Sequence, residues 1–218
     1  RSALLVGKHV LIEKPLASTT REAEELVLLA VKKGLVLLVD HTYIYTDAIR
    51  KIKEYTSQEN LGKMYYFDSV RVNLGIFQQD TNVIWDLAPH DLSIMDYIVP
   101  DQPLSVMATG ACHTSLKKTA DIAYISVRFK SNLIAHFHVN WLAPVKIRKI
   151  IIGGSNKMVV FDDLEPAEKV KVYDKGIRLI KDQKSTYRSL VQHRIGNMYA
   201  PAIDNTEALK YEIMHFLD

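Results

Sequence analysis

His9-Val10-Leu11-Ile12-Glu13-Lys14-Pro15-Leu16-Ala17 is the stretch on which the fold turns. Val10–Ile12 is a continuous apolar run, as expected of a parallel strand covered on both faces. It delivers a carboxylate, an amine and a proline in succession, so Lys14 stands at a strand end where its charge is hard to solvate. Thr19 follows as a helix cap, with Glu22 three residues later completing a capping box. Leu26, Val27 and Ala30 carry the helix to Gly34, a typical stop. Leu35–Val39 is a second buried strand that closes a βαβ unit. Asp40-His41-Thr42-Tyr43 then lies at its carboxyl end, where open α/β sheets place their ligands.

The pattern changes beyond this unit. A helix spans about Asp47–Gln58, and after Gly62 the chain reads mainly as strands. These are Met64–Leu74, Leu104–His113, Ile122–Lys130, Leu133–Trp141, Arg148–Ile152, Lys157–Asp162 and Val170–Tyr173. Lys130-Ser131-Asn132 and Gly153-Gly154-Ser155-Asn156 read as hairpin turns. Leu133, Ala135, Phe137, Val139 and Trp141 share one strand face; Asn132, Ile134, His136, His138 and Asn140 share the other. One helix, about Asp86–Ile98, interrupts the strands, and residues 183–199 read as a long polar loop. The expected fold is α/β followed by α+β: the last part of a parallel sheet over residues 1–45, then a mostly antiparallel, open-faced sheet over 46–218 with helices on one face. Arg1–Leu5 and Glu207–Asp218 both look like helices cut short.

Bulk composition narrows the function. Of 218 residues, 48% are hydrophobic and 24% charged, an ordinary globular mixture. A net charge of +3 with no basic run gives nucleic-acid binding no electrostatic support. No apolar run approaches the ~20 residues of a membrane helix. A single cysteine, Cys112, excludes an internal disulfide and fits a reducing, cytoplasmic setting.

Two motifs carry chemistry. An amine placed like Lys14 is often functional, although a strand-end lysine can also reach solvent with its tip. Pro15 fixes the backbone exit and leaves both isomers of the Lys14–Pro15 bond open. In Trp85-Asp86-Leu87-Ala88-Pro89-His90-Asp91, Asp86 and His90 stand one helical turn apart. Pro89, tolerable in a first turn, puts the helix start near Asp86. A carboxylate so placed can orient an imidazole and raise its basicity, which is how a general base is built; equally, Asp86 can be only a cap and His90 a packing residue. Elsewhere, His136 and His138 share a strand face without a third metal ligand, so no metal site is expected. Cys112-His113 has nothing to activate the thiol. Lys146, Arg148 and Lys149 can bind an anionic substrate group or form an exposed strand edge.

Taken together, these residues resemble the glucose–fructose oxidoreductase/inositol dehydrogenase/MocA (Gfo/Idh/MocA) family, over nearly the whole chain. The resemblance rests on Glu13-Lys14-Pro15 closing a βαβ unit and Asp86-x-x-x-His90 opening a helix in the domain after it. Trp141-Leu142-Ala143-Pro144 and Ile203-Asp204-Asn205-Thr206-Glu207-Ala208-Leu209 look like the nucleotide-sugar or amino-sugar dehydrogenase branch. The resemblance implies a Rossmann domain, NAD or NADP, and reversible oxidation of a hydroxyl on a sugar, nucleotide sugar or cyclitol. It implies Lys14 at substrate and nicotinamide ribose, His90 as proton acceptor and Asp86 as its orienter. Glu13, His41 and Trp85 would join Lys14 on the cofactor side, and Tyr43, Asn73, Lys146 and Arg148 would join Lys14 and His90 on the substrate side. A homodimer or homotetramer through the open sheet is also implied. The family's opening Gly-x-Gly-x-x-Gly is not in this sequence, whose first glycines are Gly7, Gly34 and Gly62. The chain is therefore expected to be a piece of a longer enzyme, inactive alone. The competing readings are an assembly or sugar-binding module that uses the sheet face without chemistry, and a metal-dependent hydrolase built on His136 and His138.

Overall fold

The computed structural model describes residues 1–57, 60–75, 81–114, 119–180, 190–204 and 206–218; for residues 57, 177–180 and 190–193 only the backbone is described. A short helix α1 (Ser2–Leu5) precedes β1 (Val10–Glu13), α2 (Thr20–Lys33) and β2 (Leu37–Asp40). The strands pair in parallel, Val10 opposite Leu37 and Glu13 opposite Asp40. The sequence sets both ends of α2. The Thr19 hydroxyl accepts the Glu22 N–H at 3.3 Å while the Glu22 carboxylate accepts the Thr19 N–H at 3.1 Å. Gly34 ends the helix at φ 63°, a left-handed conformation that costs glycine little. Glu13-Lys14 and Asp40-His41 consequently emerge side by side. The Lys14–Pro15 peptide bond is cis.

A 3₁₀ turn, Thr42–Tyr45, leads through α3 (Asp47–Ser57) to β3 (Met64–Leu74) and α4 (Val83–Ile98). Then come β4 (Pro103–Ala111), β5 (Ile122–Phe129), β6 (Ile134–Asn140), β7 (Leu142–Gly154), β8 (Met158–Asp162) and β9 (Val170–Tyr173). β10 (Gly176–Ile180), β11 (Leu190–Arg194), β12 (Met198–Tyr199) and α5 (Ala208–Leu217) complete the described elements. Eight strands form one sheet in the order β12-β9-β8-β7-β3-β6-β5-β4, and β10 pairs with β11 separately. Within the large sheet only β3 and β6 run parallel.

Alternation along the strands decides which face is the core. Leu133, Ala135, Phe137, Val139 and Trp141 are each at most 2% exposed. Phe67 of β3 meets Phe137 of β6 with ring centroids 5.8 Å apart. Ile49 and Ile52 of α3, and Ile94 and Ile98 of α4, close over these rings. Each such buried side chain is worth about 1.5–3 kcal/mol. The opposite face carries half-exposed Tyr124 and Ile134, and the edge strand β4 exposes Leu104, Val106 and Met107.

Three expectations need correction. Helix α4 starts at Val83 because the Asn82 side chain accepts the N–H groups of Ile84 and Trp85, at 3.0 and 3.1 Å. Pro89 therefore lies inside the helix, where it removes the bond to the Trp85 carbonyl rather than marking a first turn. Strand β7 begins at Leu142, six residues ahead of Arg148, and follows β3 past a register shift between Val72 and Leu74. The stretch read as a loop over 183–199 contains β11 and β12; residues 183–189 and Gln58 lie outside the described residues.

Helix α5 returns to the start of the chain. The Tyr45 hydroxyl and His215 Nδ1 are 2.8 Å apart, and the Arg50 guanidinium lies 4.8 Å from the Tyr211 ring centre. Between these contacts Glu212 is fully buried. Burial, with the Asp40 charge beside it, raises its carboxyl to about 7 from 4.5. The fold thus favours the protonated acid. That stabilisation is complete below the ordinary value and is lost as pH rises through about 7. Glu212→Gln, which mimics the protonated acid, should flatten the decline. In urea denaturation the parent midpoint should fall between mildly acid and mildly alkaline pH while the variant's holds. Equal declines would assign the pH dependence to another group.

Candidate active site

The carboxyl ends of β1 and β2 abut the N-terminal half of α4. There the Lys14 ammonium donates to the Asp86 carbonyl oxygen at 2.6 Å and lies 3.6 Å from the Asp86 carboxylate. The other carboxylate oxygen accepts the Trp141 indole N–H at 2.9 Å. Gly75 allows the indole to lie there, because a Cβ at that position would stand 2.7 Å from the ring. One carboxylate therefore joins a parallel strand end, a helix and the β6–β7 junction. Lys14, Pro15, Ser18, Asn82, Trp85 and Asp86 line a cleft of about 540 Å³ at this point.

His90 lies one turn further along α4. Its ring meets the Tyr43 ring edge-on, with centroids 5.3 Å apart. Burial is the main cause of its lowered pKa, and the charges of Arg71, Lys14, Arg148 and His41 push the same way, to about 3. His90 is accordingly an uncharged imidazole at neutral pH.

The expected Asp86–His90 pair is not formed: among the described residues the Asp86 carboxylate is held by Lys14 and Trp141. The expected rise in basicity is reversed as well. Helical spacing puts the two residues on one face but does not oblige them to touch, and two other donors, one of them charged, claim the carboxylate. The cations that surround His90 then penalise its protonation.

Beneath His90 is a polar network that carries most of the remaining site residues. The Tyr43 hydroxyl accepts from Arg71 at 3.1 Å and from Arg148 at 2.9 Å, and donates to Asp163 at 3.2 Å. Arg71 closes a two-pronged bond on Asp91 at 2.9 and 2.7 Å. Lys169 donates to the Asp163 carbonyl at 2.9 Å. Sequence reasoning missed Arg71, Asp91 and Asp163 as site residues. A signal existed for the first: Phe67, Ser69 and Arg71 alternate on the buried face of β3, so a charged side chain falls where the core should be.

The other expected residues divide. His41 is half-buried, with Nδ1 buried and unpartnered among the described residues; burial lowers its pKa, against an upward pull from Asp40. Glu13 is exposed opposite Asp40, and Trp85 exposes much of its ring at the cleft. Asn73 shares the Arg71 side of β3, with its amide beside Gly75. Lys146 is exposed and makes no hydrogen bond or ion pair among the described residues, so the structure does not bring it to His90. On the far face of the sheet, Tyr124 stacks on His138 and His136 at 4.5 and 6.0 Å. Among the described residues no group of three or more His, Cys, Asp or Glu side chains is placed to hold a metal ion.

Comparison with known proteins agrees with this architecture. Residues 1–41 match the model of an oxidoreductase family with an NAD-binding Rossmann fold, and residues 49–160 match the GFO/IDH/MocA C-terminal domain. UDP-N-acetylglucosamine 3-dehydrogenase of Acidithiobacillus ferrooxidans is 28% identical over 177 residues, covering 80% of this chain and 53% of that protein. A solved structure of that enzyme superposes with a TM-score of 0.77 at 25% identity, covering 99% of this chain and 62% of that one. 1,5-anhydro-D-fructose reductase of Ensifer adhaerens is 28% identical over 151 residues, covering 63% of this chain and 44% of that protein. The chain spans about half the length of these curated relatives. With a Rossmann match over its parallel unit and a C-terminal-domain match over half its length, the chain belongs to the Gfo/Idh/MocA oxidoreductase family.

Proposed function

We propose that the protein containing this chain is an NAD(P)-dependent oxidoreductase acting on a hydroxyl-bearing carbon of a sugar, nucleotide sugar or cyclitol. The observation that carries this reading is the cleft-lining Lys14 ammonium held by Asp86, with a half-buried, uncharged His90 one helical turn beyond. The names of the two relatives, a nucleotide-sugar dehydrogenase and an anhydrosugar reductase, support the substrate class. Residues 1–45 then form part of the cofactor domain and 46–218 the substrate and assembly domain.

The unspent groups suit such a cofactor. The orphaned His41 Nδ1 and the Lys14 ammonium can hydrogen-bond ribose hydroxyls, Glu13 offers an exposed acceptor, and the Trp85 ring offers a flat apolar surface. A bound nicotinamide supplies the hydride acceptor or donor. As hydride leaves the carbinol carbon, the hydroxyl proton passes to the free nitrogen of His90 and a carbonyl forms. Lys14 stabilises negative charge on the oxygen during that transfer. Asp86 holds Lys14 in place rather than His90. Because surrounding cations weaken the hold of His90 on the proton, the transfer is readily reversed in the reducing direction. Asn73 and Arg148 border the substrate side, and Lys146 joins them only after a change of position.

Assembly as a homodimer or homotetramer through the open sheet face is part of this proposal, supported by exposed Met107, Tyr124 and Ile134 on that face. Among the described residues no helix is long and apolar enough to cross a membrane.

Two outcomes are expected of the intact protein. With NAD and UDP-N-acetylglucosamine as probes, His90→Ala and Lys14→Ala should each lower kcat by roughly 10²–10⁴. Undiminished nicotinamide reduction in the double variant would remove both from the mechanism. Since protonation silences His90 only near pH 3, kcat/KM for oxidation should not fall as pH drops through the ordinary histidine range. For assembly, Met107→Asp with Tyr124→Asp should convert the oligomer to monomer by light scattering; an unchanged mass would place the interface elsewhere.

A further inference from the structure

Arg71 and Asp91 are not among the residues that line the cleft, and they form a charged pair with side chains at most 4% exposed. An ion pair that deep is seldom more stabilising than well-packed apolar side chains, so stability alone is a weak account of it. Its geometry suggests another. Asp91 is the residue next to His90, and Arg71 grips it with Nε and Nη2 at 2.9 and 2.7 Å. The remaining arm, Nη1, donates to the Tyr43 hydroxyl at 3.1 Å, and the guanidinium lies 4.7 Å from the Tyr43 ring centre. Tyr43 turns its own ring edge-on to His90. A single planar cation thus holds the backbone neighbour of His90 and the ring packed against it.

The Tyr43 hydroxyl is also saturated. Both lone pairs accept, from Arg71 and Arg148, and its proton goes to Asp163. It has nothing left to offer a substrate, so its ring serves as a wall rather than a ligand.

We propose that Arg71 is a positioning residue for His90, fixing the imidazole by clamping Asp91 on one side and Tyr43 on the other. The role of His90 in hydride transfer rests on the function proposed above; the clamp itself does not. The charged and titratable groups around His90 are Tyr43, packed on its ring, and the cations or bases Arg71 of β3, Arg148 of β7, Lys14 after β1 and His41 after β2. Arg71 is fixed among them by three hydrogen bonds, and its charge acts with its geometry to keep the imidazole unprotonated.

The test is nitrogen NMR of imidazole-labelled histidine in the intact protein without substrate or cofactor, with His90→Ala used to assign the signal. The parent His90 should show one sharp ring environment and no titration through its ordinary range near ~6.5. In Arg71→Met/Asp91→Leu, which removes both charges at similar volume, the signal should broaden or double and titrate near that range. Arg71→Lys, which keeps the charge but loses the fork, should leave His90 unprotonated with a broadened signal. Tyr43→Phe, which keeps the ring and loses the hydroxyl bonds, should broaden it too. An unchanged His90 signal in Arg71→Lys and Tyr43→Phe would overturn the proposal, even if the double variant does not fold. In turnover with NAD and UDP-N-acetylglucosamine, Arg71→Lys should lower kcat roughly tenfold to a hundredfold, with KM for NAD little changed. Full turnover by His90→Ala would remove the hydride-transfer reading while leaving the NMR result on the clamp intact.

Discussion

The bond from Lys14 to Asp86 is the constraint on which the cleft depends. It spans 72 residues of sequence and joins the end of a parallel strand to the first turns of a helix from the other half of the chain. The two halves have different sheets, so few regular hydrogen bonds connect them. One ammonium held by a carbonyl and a carboxylate supplies direction where apolar contact alone would leave the strand end free to slide. Trp141 extends the tie to the large sheet through the same carboxylate.

Among the described residues the electrostatics around His90 follow one rule: each cation of the network has an acid committed to it, and the imidazole has none. Arg71 is matched by Asp91, Arg148 and Lys169 by Asp163, and Lys14 by Asp86. His90 receives the unbalanced remainder of their fields together with the cost of burial, both of which oppose protonation. Its reactivity is therefore a property of the network rather than of the residue one helical turn away.

Much of the fold was legible because local chemistry dictated it. The Thr19–Glu22 box and Gly34 bounded α2, and strict alternation from Leu133 to Trp141 identified the buried face of β6 and its flanks. Lys14 and His90 were legible as candidates because their residue types sit oddly at their positions. The remaining site features depend on long-range partners that spacing does not encode. Asp86 and His90 stand at contact spacing, but the choice of Trp141 as partner is made across 55 residues. The start of α4 differs from expectation because Pro89 signals a first turn, whereas the Asn82 side chain caps the helix at Val83. Arg71 and Asp163 acquire meaning only once β3 and β7 lie side by side.

The parallel pairing of β3 with β6 also carries a kinetic consequence. Adjacent strands that run parallel cannot be joined by a tight turn, and here the connection between them contains α4 together with β4 and β5. The helix bearing His90 thus lies inside a loop that closes only when β6 finds its place beside β3. Contacts such as Tyr43 with Asp163, 120 residues apart, close longer loops still. Topology of this kind raises contact order and slows folding, because loop-closure entropy is spent before the distant contacts repay it. Catalytic geometry and global topology therefore mature together, and a chain with a half-built sheet holds its candidate residues without holding a site.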